Sequence, residues 1–213
     1  MQAKERMTPM RKIIAILLLI CSLASLAACA KKANADNSLE DKKKMEELFY
    51  KVCSADEALE LAKNANIPVC ADLGCTSGKD TWDAFFTSVT DGKAASVLVA
   101  DYYTLDKDHV SPELYEQEKD KYPCLYFTLV EYDGKEFAIQ TRLSSESEIE
   151  RQETFKYLQH FTGKAPATAL YTDYDYYVLV DEKAANWEEI ERELFSSASP
   201  YFRKHCSVFE NCT

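Results

Sequence analysis

Cysteine is the residue type with the most chemistry to offer in this chain. Cys53, Cys70, Cys75, Cys124, Cys206 and Cys212 lie in the part with folded-domain character, and Cys21 and Cys29 in or beside an apolar N-terminal stretch. Six thiols suit disulfides if the chain is exported, and free thiols if its surroundings are reducing. Both states stay open. Closeness in sequence favours Cys206–Cys212 and one pair drawn from Cys53, Cys70 and Cys75. Zinc would want CxxC-type pairs or histidines at ligand spacing. The spacings are Cys-x4-Cys and Cys-x5-Cys, with His205 the one histidine nearby, so no metal site is expected. A thioredoxin-like centre needs CxxC at a helix start. Cys75 precedes a predicted helix and can present one partly exposed thiolate, although a structural role is the commoner fate of a cysteine. Cys124, inside a strand pattern, reads as a small buried hydrophobe.

Tyrosine is the second notable type, with thirteen copies. Tyr171, Tyr174, Tyr176 and Tyr177 crowd one stretch, and Tyr102, Tyr103, Tyr126 and Tyr132 fall on other strand patterns. Alternation along a strand sends Tyr176 and Tyr177 to opposite faces. One set is then core, and the other can form an exposed aromatic patch of the kind that binds glycan, peptide or protein. Tyrosines simply filling a β pattern are the plainer account.

The remaining candidates fail their templates. No GxSxG elbow and no HExxH helix surrounds any of His109, His160 or His205. Asp106-x-Asp108 and Asp173-x-Asp175 do not continue into a calcium loop. Glu188, Glu189, Glu191 and Glu193 sit near one helix start, where the dipole favours them, rather than across a cleft. Gly74 to Asp80 has the look of a phosphate loop, but the true motif spaces its glycines one residue wider and follows lysine with Ser or Thr. A polar turn capping a helix through Thr76 or Ser77 explains it better. No catalytic residue and no cofactor is expected, which leans the reading away from an enzyme while leaving that class open.

The elements that must position these residues begin with helices. Met45, Leu48, Phe49 and Val52 form an apolar helical stripe. Ser54 to Glu57 is a capping box ahead of Ala58, Leu59, Leu61 and Ala62. Ile67 to Cys70 is a short extended piece. Trp82, Phe85, Phe86 and Val89 mark another helix, ended by Gly92. The period then changes to two: strands are expected at Ala95–Tyr103, around Leu125–Val130, at Glu136–Leu143 after an Asp133-Gly134 turn, at Phe155–Phe161 and at Tyr174–Asp181. Ser111-Pro112 predicts a short helix over 112–120. Asn186 and Glu189 cap a last helix that buries Trp187, Ile190 and Leu194. Residues 144–153 read as a charged loop and the tail after Pro200 as irregular. The fold class is α+β: N-terminal helices, a mostly antiparallel sheet of about five strands and a C-terminal helix.

Composition bounds the function. A net charge of −11 argues against a nucleic-acid partner, which needs a basic face. Arg11-Lys12 precede the sixteen uncharged residues Ile13 to Ala28, short of the ~20 a spanning helix needs. Charged start, apolar middle and small-residue end make an export signal, for which Met10 is a better start than Met1. The closing Leu26-Ala27-Ala28-Cys29 resembles the lipobox of bacterial lipoproteins. That resemblance implies cleavage before Cys29 and a diacylglycerol on its thiol. Two or more acyl chains anchor stably, at about 0.8 kcal/mol per buried CH2. Residues 1–28 are then a signal peptide, 29–44 the lipidated cysteine and a polar tether, and 45–213 a single globular α+β domain. Losing Lys4, Arg6, Arg11, Lys12 and Glu5 leaves 21 bases and 35 acids, a net −14. Such a body is held off an anionic membrane rather than drawn to it.

The body, with its Gly-Lys…Trp-Asp-Ala-Phe motif at Gly78-Lys79 and Trp82–Phe85, resembles small uncharacterised lipoproteins of Gram-positive bacteria. The expectation is a lipoprotein on the extracytoplasmic face of a bacterial cell membrane, held by lipid on Cys29. Its domain binds an extracytoplasmic ligand or protein. The alternatives are an extracytoplasmic enzyme or thiol-redox protein working through Cys70 or Cys75, and a structural envelope protein.

Overall fold

The computed structural model describes residues 41–71, 73–167, 169, 171–195 and 203–213, without the side chains of 194 and 195. The expected export signal over 1–28, Cys29, the expected tether as far as residue 40 and the Leu194 side chain lie outside the described residues. The chain divides into two compact units, Met1–Lys44 and Met45–Thr213, and the second holds the fold.

Helix α1 (41–49) ends on Phe49, which is fully buried. Val52 was expected on its apolar stripe, but it lies beyond the helix and is 52 % exposed. Ser54 caps α2 (Ala55–Asn64), its hydroxyl accepting from the Glu57 N–H at 3.3 Å, and α2 buries Ala55, Ala58 and Ala62. Strands β1 (Val69–Ala71) and β2 (Gly74–Ser77) form a tight hairpin before α3 (Lys79–Thr90). Neither Thr76 nor Ser77 caps α3; that position is Gly78, at φ +69°. A side chain there would begin 2.4 Å from the backbone of Ile67, so glycine is set by close packing and not by phosphate.

Strand β3 (Ala95–Tyr103) leads to α4 (Pro112–Glu118), where Ser111 caps and Pro112 opens the first turn. Strands β4 (Cys124–Tyr132) and β5 (Phe137–Leu143) turn at Asp133-Gly134, and β6 (Arg151–Phe155) follows. Strand β7 (Tyr157–Lys164) pairs with β8 (Asp173–Val180), α5 (Trp187–Phe195) comes next, and β9 (His205–Glu210) ends the fold.

α+β is correct, while the finer expectation changes. There are two sheets among the described residues, one ordered β2-β1-β3-β4-β5-β6 and one β7-β8-β9, and helices are spread along the chain. The expected strand Phe155–Phe161 is two: the chain leaves the first sheet at Phe155 and enters the second at Tyr157. Strand β6 hides in the charged segment because an edge strand carries charged side chains. The tail expected to be irregular forms β9, which pairs with β8.

Three apolar clusters hold these layers. Leu98, Ala100, Leu125 and Phe127 on one face of the larger sheet pack against α1 and α2. Val97, Val99, Val130 and Ile139 on its other face meet Trp82 of α3 and Tyr177, Leu179 and Phe209 of the smaller sheet. The outer face of the smaller sheet packs Tyr176, Val178 and Val180 against Ile190 of α5.

Candidate functional site

Where the core between the sheets reaches the β1–β2 hairpin it turns polar. Cys70 and Cys75 are register partners across β1 and β2, and both side chains face this core. On the other side of β1, in parallel register, Cys70 neighbours Asp101 of β3, itself opposite Tyr126 of β4. Tyr103, two residues on, stands beside Tyr126 with ring centres 6.2 Å apart and is 51 % exposed. The end of β9 closes the cluster. The Cys70 thiol donates to the Glu210 carbonyl at 3.4 Å, Ser207 Oγ donates to Glu210 Oε1 at 2.9 Å, and the Cys75 N–H donates to Asn211 Oδ1 at 3.2 Å. The Cys212 N–H donates to the Leu73 carbonyl at 2.8 Å, tying the C-terminus to the hairpin turn.

The electrostatics follow from packing carboxyls and thiols together at the end of the core. Burial, with the charge of Glu210 added, pushes the Asp101 carboxyl up to about 7. Burial also raises Glu210, and Ser207 partly offsets it. Cys70 is raised by burial and then by Asp101, Cys75 by burial, partly offset by its hydrogen bond to the Ser77 carbonyl and then by Lys79, and Tyr103 by burial and then Asp101. A carboxyl raised in the folded state keeps its proton after the unfolded chain has lost it. Stability contributed by neutral Asp101 is therefore full below about pH 4 and is lost as pH rises to about 7. Asp101→Asn is expected to be more stable than wild type at pH 8, and the difference should vanish towards pH 4 in urea melts at both values. An unchanged difference across that range would contradict the burial of a protonated Asp101.

The structure separates the other sequence candidates from this cluster. All six described cysteines are free thiols. Cys206–Cys212, expected as a pair, cannot form. The extended strand between them carries the chain some 3.3 Å per residue, well past the ~7 Å limit for bridged Cα atoms. Cys206 faces the core beside Arg151 Nη1 at 3.1 Å, and burial pushes its thiol up to about 11 against the pull of that guanidinium. Cys212 lies against Tyr176 on the opposite side of the smaller sheet. Cys53 packs towards α1 and α2, leaving Cys70 and Cys75 as the juxtaposed pair of that trio. Cys124, expected to be buried, is half-buried at the start of β4.

Tyr176 and Tyr177 are core, and Tyr171 and Tyr174 are partly buried against them, so the four do not form an exposed patch. Tyr176 and Tyr177 do point to opposite faces, yet both faces of this central strand are covered and both residues are buried. The Tyr171 and Tyr176 hydroxyls share a 2.7 Å hydrogen bond, and the Tyr174 and Trp187 rings lie 5.5 and 4.4 Å from that of Tyr176. His160 stacks on Tyr177 at 4.0 Å and meets Asp175 at 2.6 Å. Asp101 and Glu210 were missed, although Asp101 is the one acid in the strand ASVLVADYY, directly after its buried run; Tyr103 was legible only as one of the strand tyrosines.

Among the described residues, no three His, Cys, Asp or Glu side chains are placed to hold a metal ion, and no helix is long and apolar enough to cross a membrane. The chain matches no known protein family, no curated protein and no solved structure.

Proposed function

We propose that this chain is a bacterial lipoprotein, anchored by lipid on Cys29 at the extracytoplasmic face of the cell membrane, whose α+β body is a binding domain. The observation that carries the reading is Leu26-Ala27-Ala28-Cys29 closing an uncharged run behind Arg11-Lys12. The binding face shifts from the tyrosines of β8 to the open ends of β3 and β4, where Tyr103 and Tyr126 flank Asp101. An exposed aromatic edge beside an acid suits a ligand with an apolar face and a cationic or hydroxyl group.

Full-length protein from its native membrane should carry acyl chains on Cys29 by intact mass. Cys29→Ser should move it out of the membrane fraction and leave the circular dichroism of the body unchanged. A Cys29→Ser protein that stays with the membrane, or an unacylated wild type, overturns the anchor. Tyr103→Ala should reduce capture of a partner cross-linked to the wild type in that membrane, and unchanged capture overturns the binding face.

A second reading, thiol–disulfide chemistry, is favoured by one observation: Cys70 and Cys75 oppose each other across the hairpin.

A further inference from the structure

We infer that Cys70 and Cys75 form a reversible intramolecular disulfide by exchange with an external disulfide, with Cys75 attacking first and Asp101 taking the proton of Cys70. The inference rests on the thiol reading and is independent of the lipid anchor. Residues directly opposed on antiparallel strands have Cα atoms about 4.5–5.5 Å apart, inside the window of about 4.4–6.8 Å that a disulfide spans. Cys70 and Cys75 hold that relation, on the same face, and only the pair Ala71–Gly74 and two further residues of the chain lie between them. The bond closes without moving a strand.

The two thiols differ in access. Cys70 is 7 % exposed beneath Glu210, whereas Cys75 is half-buried near the hairpin rim, beside the helix-starting Lys79. An incoming disulfide R–S–S–R′ therefore meets Cys75. Its thiolate bonds to one sulfur and expels R′S⁻, leaving Cys75 as a mixed disulfide with RS. Cys70 then passes its proton to the Asp101 carboxylate, its register neighbour on β3, and its sulfur displaces RS⁻ from Cys75. The proton Cys75 gave up to solvent and the one Asp101 then releases protonate R′S⁻ and RS⁻, so the protein has lost two electrons and two protons and the external disulfide has become two thiols. The charged and titratable groups around Asp101 are Cys70 on β1, Tyr103 on its own strand, Tyr126 on β4, and Cys206 and Glu210 on β9. None is a cation that would hold Asp101 ionised, so at neutral pH it can both lose and accept a proton.

The test uses the full-length reduced protein in detergent, treated with oxidised glutathione, trapped with an alkylating agent and cut with trypsin. Cleavage after Lys63 and Lys79 places both cysteines in one peptide, 64–79. That peptide should appear unalkylated and about 2 Da light, the mass of the two hydrogens lost. Cys70→Ser should accumulate glutathione on Cys75, and Cys75→Ser should leave Cys70 reduced. Asp101→Asn should form the mixed disulfide at the wild-type rate and slow ring closure at least about tenfold at pH 7. Glutathione retained on both cysteines, or Cys75 joined to Cys212, overturns the pair while thiol chemistry at the hairpin stands. Failure of both Cys70 and Cys75 to react overturns the thiol reading as well. Unslowed closure in Asp101→Asn overturns the proton-acceptor role.

Discussion

Arg142→Met is expected to destabilise the body by about 3–5 kcal/mol, the usual cost of emptying a buried charged site whose partners stay behind. The guanidinium is fully buried on β5, and its partners are backbone carbonyls rather than a carboxylate. Its Nε and Nη2 donate to the carbonyls of Phe49, the last residue of α1, and Lys51, just past it. Its Nη1 donates to those of Leu143 at 2.9 Å and Ser144 at 3.5 Å, and to that of Glu146. The Phe49 ring covers it, 5.7 Å from centroid to Cζ. One side chain thus satisfies the end of a helix and the turn after β5 together. The Cys53 N–H, donating to Ser144 O at 2.9 Å, repeats the link. Methionine fills the space but offers no donor, so the carbonyls lose their hydrogen bonds away from water. The midpoint of urea unfolding should fall with an unchanged slope, and hydrogen exchange should quicken at 45–53 before the strands respond. Arg142→Lys should recover part of the loss, because an ammonium still donates to three carbonyls. Wild-type stability in Arg142→Met would show that this hub contributes nothing net.

Trp82→Ala is expected to cost a further 3–5 kcal/mol or so, in the range for emptying an aromatic site in a packed core. Trp82 has no exposed surface and sits on α3 where the two sheets converge. It stacks on Phe209 of β9 at 4.5 Å and 6°, meets Tyr177 of β8 edge-on at 5.1 Å, and touches Phe85 at 5.4 Å. It therefore joins α3 and the larger sheet to the smaller one. Aromatic contacts of this geometry are worth about 0.5–1.5 kcal/mol each beyond their area. The chain has two tryptophans, so the variant leaves Trp187, under β8, as sole reporter. Its fluorescence should follow the smaller sheet alone. A melt in which Trp187 changes before the circular dichroism of the rest would show the sheets uncoupled. Trp82→Phe, which keeps a ring in place, should cost clearly less.

These two hubs differ in how visible they are in a sequence. Trp82 belongs to a helical stripe with Phe85 and is legible from spacing alone. Arg142 is not, because one arginine in a strand pattern reads as a solvent-facing residue, and two of its carbonyl partners, Phe49 and Lys51, lie far back in the chain. The site divides likewise. Cys70 and Cys75 are legible as a close pair and as candidate thiols. Their registration, and the arrival of Asp101 and Glu210 beside them, depend on a parallel pairing of β1 with β3 and on β9 closing over the end.

By itself the sequence determined what neighbouring residues decide between them. That includes the caps at Ser54, Ser111 and Asn186, the apolar stripe of α3, the strand Ala95–Tyr103 and the hairpin at Asp133-Gly134. Each rests on a hydrogen bond or a periodicity spanning a few residues. Tertiary structure alone decided which β8 tyrosines are buried, why β6 and β9 are strands, and which thiols meet. Those outcomes depend on a second surface arriving from elsewhere in the chain to cover a face or pair an edge. A residue's own neighbours carry no record of whether that surface comes.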